Sequence, residues 1–221
     1  MEDEEQISLE FEDDDDGYST PSAVLKKMTT CWQNELCAPC LLPTQVDIVE
    51  ILLDQIAGME EDINKQTNKL QLRISVHRME LQRIGYITSD YLRCRLQKIE
   101  KNPNGVIEEH QKREREGASD LLSKDELTFA QEYASLEAEL FSNTALETLR
   151  IGLKKLAMPE ANEKQDMVYA QVVTEDVGSV SIPDWTDLNA EVILEMEQSS
   201  VHLIPFDSVK HHVEKGTIVL L

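Results

Sequence analysis

Four cysteines (Cys31, Cys37, Cys40, Cys94) and five histidines (His77, His110, His202, His211, His212) offer this chain its thiolate, imidazole and metal-ligand chemistry. Cys37-Ala38-Pro39-Cys40 has the C-x-x-C spacing of a dithiol exchanger or of one half of a zinc site. Dithiol exchange needs the first Cys at a helix N-terminus after a strand, where backbone N–H groups favour the thiolate, but the residues upstream of Cys37 have a helical pattern. A closed zinc site needs four ligands, usually as two spaced pairs; Cys31 could join Cys37 and Cys40, but there is no second C-x-x-C. A thiol oxidoreductase or zinc-binding adaptor using Cys37 and Cys40 is therefore the alternative reading, and ordinary reduced thiols the preferred one. His202, His211 and His212 could cluster, yet no nearby Cys or patterned carboxylate completes a site, and His77 is better placed as a polar neighbour than as a general base. None of the eight glycines forms G-x-G-x-x-G or G-x-x-x-x-G-K-[ST], and neither G-x-S-x-G nor H-E-x-x-H occurs. Carboxylates are so numerous that no pair is singled out for acid–base work. These residues point to a non-enzyme with no cofactor and no metal.

The elements that would position these groups are mostly helical. Apolar residues make up 41% of the 221 residues and aromatics only 5%, which predicts an aliphatic, interdigitated core. Thr20-Pro21 predicts a helix start with a hydroxyl N-cap, followed by Val24, Met28, Cys31, Trp32 and Glu35 at spacings of three and four. Pro39 and Pro43 break that helix, and a second opens near Thr44 with Val46, Val49, Leu53 and Ile56. A third and longer one runs from Lys69 to Lys101, stopped by Pro103-Asn104-Gly105. Its Ile74, Leu81, Leu92, Leu96 and Ile99 form a narrow apolar stripe, and Val76, Met79, Ile84, Tyr86, Ile87, Tyr91 and Cys94 a broader face, so it needs cover on two sides. Residues 108–117 are charged enough to be a solvated loop or frayed helix. Ser123-Lys124-Asp125-Glu126 is a capping box that opens a helix through Leu127, Ala130, Tyr133, Leu136, Leu140 and Phe141, and helix is expected to resume over 146–156.

After Pro159 the pattern changes to short β-favouring runs at 168–174, 177–182, 192–196, 201–206 and 217–221, with a helical turn at 208–214. The fold class is mainly α with a small β domain: an N-terminal helical bundle followed by a C-terminal β-rich domain. The boundaries are an acidic tail over 1–19, a helical domain over 20–157, a linker over 158–166 and the β domain over 167–221.

Charge is sharply segregated. The net charge is −22, yet Lys69 to Lys101 holds eight Lys or Arg against three acids, a local +5 that leaves −27 for the remainder. That basic helix should meet acidic protein, either in its own chain or in a partner. A sequence pI near 4.5 argues against autonomous DNA binding, although binding within an assembly stays open. No apolar run approaches the roughly 18 residues that span a bilayer, and the acidic first residues differ from a signal peptide, so a soluble, non-secreted protein without a membrane role is expected. Residues 1–16 carry ten acids and no base and are expected to be disordered; a merely solubilising tail is the preferred reading, and the alternation of Ile7, Leu9 and Phe11, which suits a short peptide that orders on a partner, is the alternative.

The run Tyr91-Leu92-Arg93-Cys94-Arg95-Leu96-Gln97-Lys98-Ile99-Glu100, with Met79-Glu80, Arg83-Ile84 and Tyr86, closely resembles the Sld-five subunit family of the GINS complex. Trp32-Gln33-Asn34-Glu35, Ala38-Pro39, Leu41-Leu42, Leu122-Ser123, Glu126-Leu127, Phe129-Ala130 and His202-Leu203-Ile204 agree with it. Pro205 departs from the family pattern, where an arginine is expected, and implies an edge-strand position or an altered contact because Pro lacks a ladder donor. Cys37 and Cys40 are not part of that pattern. The resemblance implies a non-catalytic scaffold subunit in the nucleus. It would form a heterotetramer with three sister GINS subunits and act with the Mcm ring and Cdc-forty-five in the replicative DNA helicase, in initiation and fork progression. It also implies that Ile7, Leu9 and Phe11 of the tail could engage a replisome hub protein. The candidate subunit interface comprises Met79, Arg83, Tyr86, Tyr91, Arg93, Arg95, Leu96 and Ile99 on the long helix. From the β domain it takes Leu203, Ile204, Phe206, Val219, Leu220 and Leu221.

Overall fold

Prolines at the first helical position, where a missing N–H costs nothing, open two of the helices. The computed structural model describes residues 20–65, 72–146, 166–174, 177–183 and 191–221. Helix α1 (Pro21–Cys37) begins as the sequence predicts, except that Thr20 makes no side-chain cap; its carbonyl accepts from Ala23 N and Val24 N instead. Helix α2 (Val46–Lys65) opens just past Thr44. Helix α3 (Leu72–Lys101) is the long basic element, 30 residues and so about 45 Å; the stretch from Lys69 to 71 lies outside the described residues.

The Asn-Pro-Asn-Gly sequence that ends α3 also starts α4 (Pro103–Glu116). Asn102 Oδ1 accepts from Gly105 N at 3.1 Å, and a Cβ on residue 105 would collide with the Asn102 side chain, so this cap requires glycine. Residues 108–116 are therefore regular helix, which corrects the loop or frayed-helix reading. Gly117 ends it in the left-handed conformation, φ 67°. Charge density is a poor guide here because Arg113 turns inward and donates to Glu214 at 2.6 Å, far along the chain.

Helix α5 (Lys124–Phe141) starts with the predicted capping box: Ser123 Oγ accepts from Glu126 N at 3.2 Å, and Glu126 Oε2 accepts from Ser123 N at 2.9 Å. Ser123→Ala is expected to cost about 1 kcal/mol, read as a lowered urea midpoint with an unchanged denaturant slope. A π-helical turn, Ser142–Leu146, follows, and the helix expected to resume beyond it lies outside the described residues.

Three aliphatic clusters hold the bundle. Met28, Ile48, Val49, Leu52, Ile87 and Tyr91 fill the space between α1, α2 and α3. Leu41, Ile99, Leu121, Leu122 and Ala130 join α3 to α5, and Ile63, Ile74 and Leu81 close the far end of the α2/α3 pair.

The β runs become β1 (Met167–Val172), β2 (Ser179–Pro183), β3 (Glu191–Glu195), β4 (Val201–Pro205) and, after helix α6 (Phe206–Glu214), β5 (Ile218–Leu220). One antiparallel sheet has the order β4-β1-β5, with Tyr169 opposite Leu203 and Ala170 opposite Leu220; β2 and β3 form a separate antiparallel pair. Pro205 ends an edge strand and stands at the N-cap of α6, where its missing donor breaks no ladder. Period-two alternation sends Val168, Ala170, Val172, Ile204, Ile218 and Leu220 into one core with Phe206 and Val209 of α6.

The helical domain completes that core. Ala38 and Leu42 pack in it, and side-chain amides of α1 occupy the free edge of β5: Gln33 Nε2 donates to Leu220 O and Leu220 N donates to Asn34 Oδ1, each at 2.9 Å. An edge strand is thereby closed by amides that mimic a neighbouring strand.

Candidate subunit interface

The family-like run on α3 has an inner side and an outer side, and they do different work. On the inner side Arg95, 0% exposed, uses all five guanidinium donors. Its Nε and Nη2 grip Glu126 at 2.6 and 2.9 Å, Nη1 reaches Glu35 at 3.2 Å and Leu42 O at 2.7 Å, and Nη2 also reaches Leu121 O at 2.7 Å. Lys98 Nζ bonds the other Glu35 oxygen at 2.7 Å, the Glu35 carbonyl, and Cys40 O at 3.0 Å. Two bases and two acids thus form a neutral, fully bonded knot that ties α1, α3, α5 and both connecting loops. The Arg95 guanidinium also lies over the Tyr91 ring, 5.6 Å from its centroid, and Tyr91 Oη accepts from Gln45 N at 3.2 Å.

Burial alone would raise the Glu126 carboxyl, but the Arg95 hydrogen bonds and charge, with the Ser123 bonds, hold it below its ordinary 4.5. Burial alone would lower the Arg95 guanidinium, and its bonds to Glu126 with the surrounding charge raise it instead. Because the folded Glu126 value lies below the unfolded one, its stabilisation is complete above about pH 4.5 and is lost as pH falls through the folded value. Acid unfolding below pH 4.5 should therefore flatten in Glu126→Gln, measured as midpoint against pH relative to the parent chain.

On the outer side, Leu72, Val76, Met79 and Tyr86 recur at spacings of four, three and seven, so they form one stripe along α3. They stay 81%, 49%, 68% and 59% exposed. Arg83 lies in the stripe beside Glu80 at 3.5 Å, and Arg93 continues it beside Asp90 at 3.3 Å. Asp90 is itself held by Trp32 Nε1 at 2.9 Å. Of the helix's bases, Arg95 and Lys98 serve this chain's own acids, while Arg73, Arg78 and Lys101 make no ion pair among the described residues. A second exposed apolar surface is the outer face of the β4-β1-β5 sheet, with Tyr169 and Leu203 paired across strands and Met167, Val201 and Leu221 around them.

The candidate interface is therefore divided. Met79, Arg83, Tyr86, Arg93, Leu203 and Leu221 are exposed, and Leu96 and Val219 are half-buried. Tyr91, Arg95 and Ile99 are corrected to the interior, since they face α1, α2 and α5. Ile204, Phe206 and Leu220 are likewise corrected to the β core, where strand alternation and the start of α6 point them. The broader face of the long helix does not act as one: Ile87 and Tyr91 pack inward while Val76, Met79 and Tyr86 face out. Sequence reasoning missed the Arg95 knot, although Glu35 on the apolar stripe of α1 was its signal. Ile7, Leu9 and Phe11 lie outside the described residues.

Cys37 is the last residue of α1, at the carbonyl end, where no backbone N–H favours a thiolate, and burial pushes its thiol up. Burial raises Cys31 and Cys94 too. Among the described residues no group of three or more His, Cys, Asp or Glu could hold a metal ion, and no helix is long and apolar enough to cross a membrane.

The bundle and the appended β domain define a class. Residues 49–145 match the family model described as the GINS complex protein helical bundle domain, and residues 163–221 match that of the DNA replication complex GINS protein SLD5 C-terminus. The chain is 34% identical to the DNA replication complex GINS protein SLD5 of Mus musculus, over 98% of this chain and 99% of that protein. It is 33% identical to the Homo sapiens protein of that name over 98% and 99%, and 32% identical to the Xenopus laevis one over the whole of both. The chain belongs to the SLD5 family of GINS proteins.

Proposed function

We propose that this chain is a non-catalytic structural subunit of a GINS heterotetramer, bound to three sister subunits in the nucleus. In that setting it scaffolds the replicative helicase together with the Mcm ring and Cdc-forty-five. The observation that supports this reading is the outward stripe of Leu72, Val76, Met79 and Tyr86, an apolar seam on a helix whose Ile74, Leu81, Ile87, Tyr91 and Ile99 are buried within this chain. A seam of this kind without a covering element marks a protein contact. The relatives' names place them in a DNA replication complex, which supplies the partner class.

Purification of the native assembly tests the reading: three sister subunits should co-elute in equal amounts with the chain. The isolated chain should self-associate despite its charge and gain stability when sister subunits are added. A monomer at micromolar concentration with no such gain would overturn it. The seam is built on α3, so deletion of residues 1–16 should leave the tetramer intact while abolishing any contact of Ile7, Leu9 and Phe11 with a replisome hub protein, as read by size-exclusion chromatography.

A further inference from the structure

A groove of about 740 Å³ opens where the starts of α2 and α5 meet the side of α3 turned away from the exposed stripe. Its floor is apolar, with Val46, Leu92, Leu96 and Phe129 only half-buried. Its rim is acidic: Asp47, Glu50, Asp120 and Asp125 are exposed and make no ion pair among the described residues. Among the described residues Lys124 is the one base on that rim, and the remaining acid, Glu126, is spent on Arg95. The two connecting loops form one wall, since Thr44 N donates to Asp120 O at 3.1 Å. In that wall Thr44 Oγ1 is buried without a hydrogen-bond partner among the described residues, a polar atom left unsatisfied beside an open apolar floor.

We propose that this groove docks a basic amphipathic helix from a partner protein. An apolar floor flanked by carboxylates fits a helix with aliphatic residues at i, i+3, i+4 and i+7 and Lys or Arg on both flanks. The floor takes the aliphatic stripe, the rim takes the cations, and a flanking donor reaches Thr44 Oγ1. Electrostatics select the occupant. This chain's own residues 1–16, with ten acids and no base, are repelled by the rim, and a second copy is separated by the test: self-association that the basic peptide displaces would mean a second copy and would overturn the proposal. A heterologous, basic partner is the occupant proposed, and the chain's own basic stretch, Arg150, Lys154 and Lys155 among Leu149, Leu153 and Leu156, is the competing one: tighter peptide binding after Leu149→Ser/Leu153→Ser would mean that it fills the groove and would overturn the proposal. The proposal does not depend on the α3 stripe being a subunit contact, because the groove uses the other side of the helix.

The test uses the full chain and an 18-residue synthetic helix with a leucine stripe flanked by lysine and arginine; its control carries glutamate in place of every base. Anisotropy of the labelled basic peptide should report saturable binding, and methyl NMR should place the shifts on Val46, Val49, Leu92, Leu96 and Leu122. Glu50→Lys/Asp120→Lys changes exposed carboxylates outside the first helical turns, so the fold should be retained by circular dichroism, and affinity should fall at least tenfold. Equal binding of the glutamate peptide, unchanged affinity in Glu50→Lys/Asp120→Lys, or methyl shifts that avoid the groove would each overturn the proposal. Shifts confined to residues 1–16 would mean simple charge attraction to the acidic segment and would overturn it equally.

Discussion

Arg95→Ala will unfold the helical domain or bring it to the edge of unfolding at neutral pH. Removing one member of a buried ion pair costs about 3–5 kcal/mol, because the remaining charge stays buried. That is a large share of the roughly 5–15 kcal/mol that holds a domain folded. The loss falls unevenly on the neighbours. Glu35 keeps Lys98 at 2.7 Å, but Glu126 retains only the Ser123 N–H, and the Leu42 and Leu121 carbonyls lose their donors in a site closed to water. The expected result is a large drop in urea midpoint with the far-UV spectrum of the helices lost well below the parent's transition. Combining Arg95→Met with Glu126→Gln should cost less than the sum of the two single changes, since each alone orphans the other, and a coupling on the order of 1–3 kcal/mol is expected for such contacts. Additive costs would mean that the knot is not a single unit.

The contrast between Arg95 and its neighbour Arg93 shows where sequence reasoning succeeds and where it stops. Both lie in the run Tyr91-Leu92-Arg93-Cys94-Arg95-Leu96, and the helix itself is legible from apolar spacing, as are the Pro103 stop and the Ser123–Glu126 capping box. Such signals are local: a cap needs residues three apart, and strand alternation needs residues two apart, so the five strands emerge close to their expected positions. Which arginine turns inward is set by Glu35 and Glu126, 60 and 31 residues away. The same distance effect hid α4, whose Arg113 finds Glu214 101 residues later, and the junction of the domains, where Gln33 and Asn34 pair with Leu220. A pattern of polar residues on a helix has two meanings, a solvated face or a buried network, and only the tertiary partner separates them. The interface follows the same logic. Exposed Met79 and Tyr86 were identifiable as apolar residues in need of cover, but so were Tyr91 and Ile99, whose cover comes from this chain.

That distinction makes the outer stripe the sharper test of assembly. Met79→Asp/Tyr86→Asp should leave the isolated chain folded, because both side chains face solvent and surface changes of this kind usually move stability by about 0.5 kcal/mol or less. In the assembly the same two changes should be severe. Each removes apolar burial worth about 1.5–3 kcal/mol and places a carboxylate in a desolvated contact, where an unpaired charge costs still more. Together they should weaken association by roughly a thousandfold or more, at about 1.4 kcal/mol per factor of ten. Size-exclusion chromatography of the co-expressed subunits should then show the variant eluting apart from its sisters, with its circular dichroism intact. Tyr91→Asp supplies the opposite signature from five residues further along α3: its ring is buried with Met28, Leu52 and Ile87, so the chain itself should unfold before any partner is added. A tetramer that forms normally with aspartate at 79 and 86 would remove the outer stripe from the contact and leave the sheet face around Tyr169 and Leu203 to carry it.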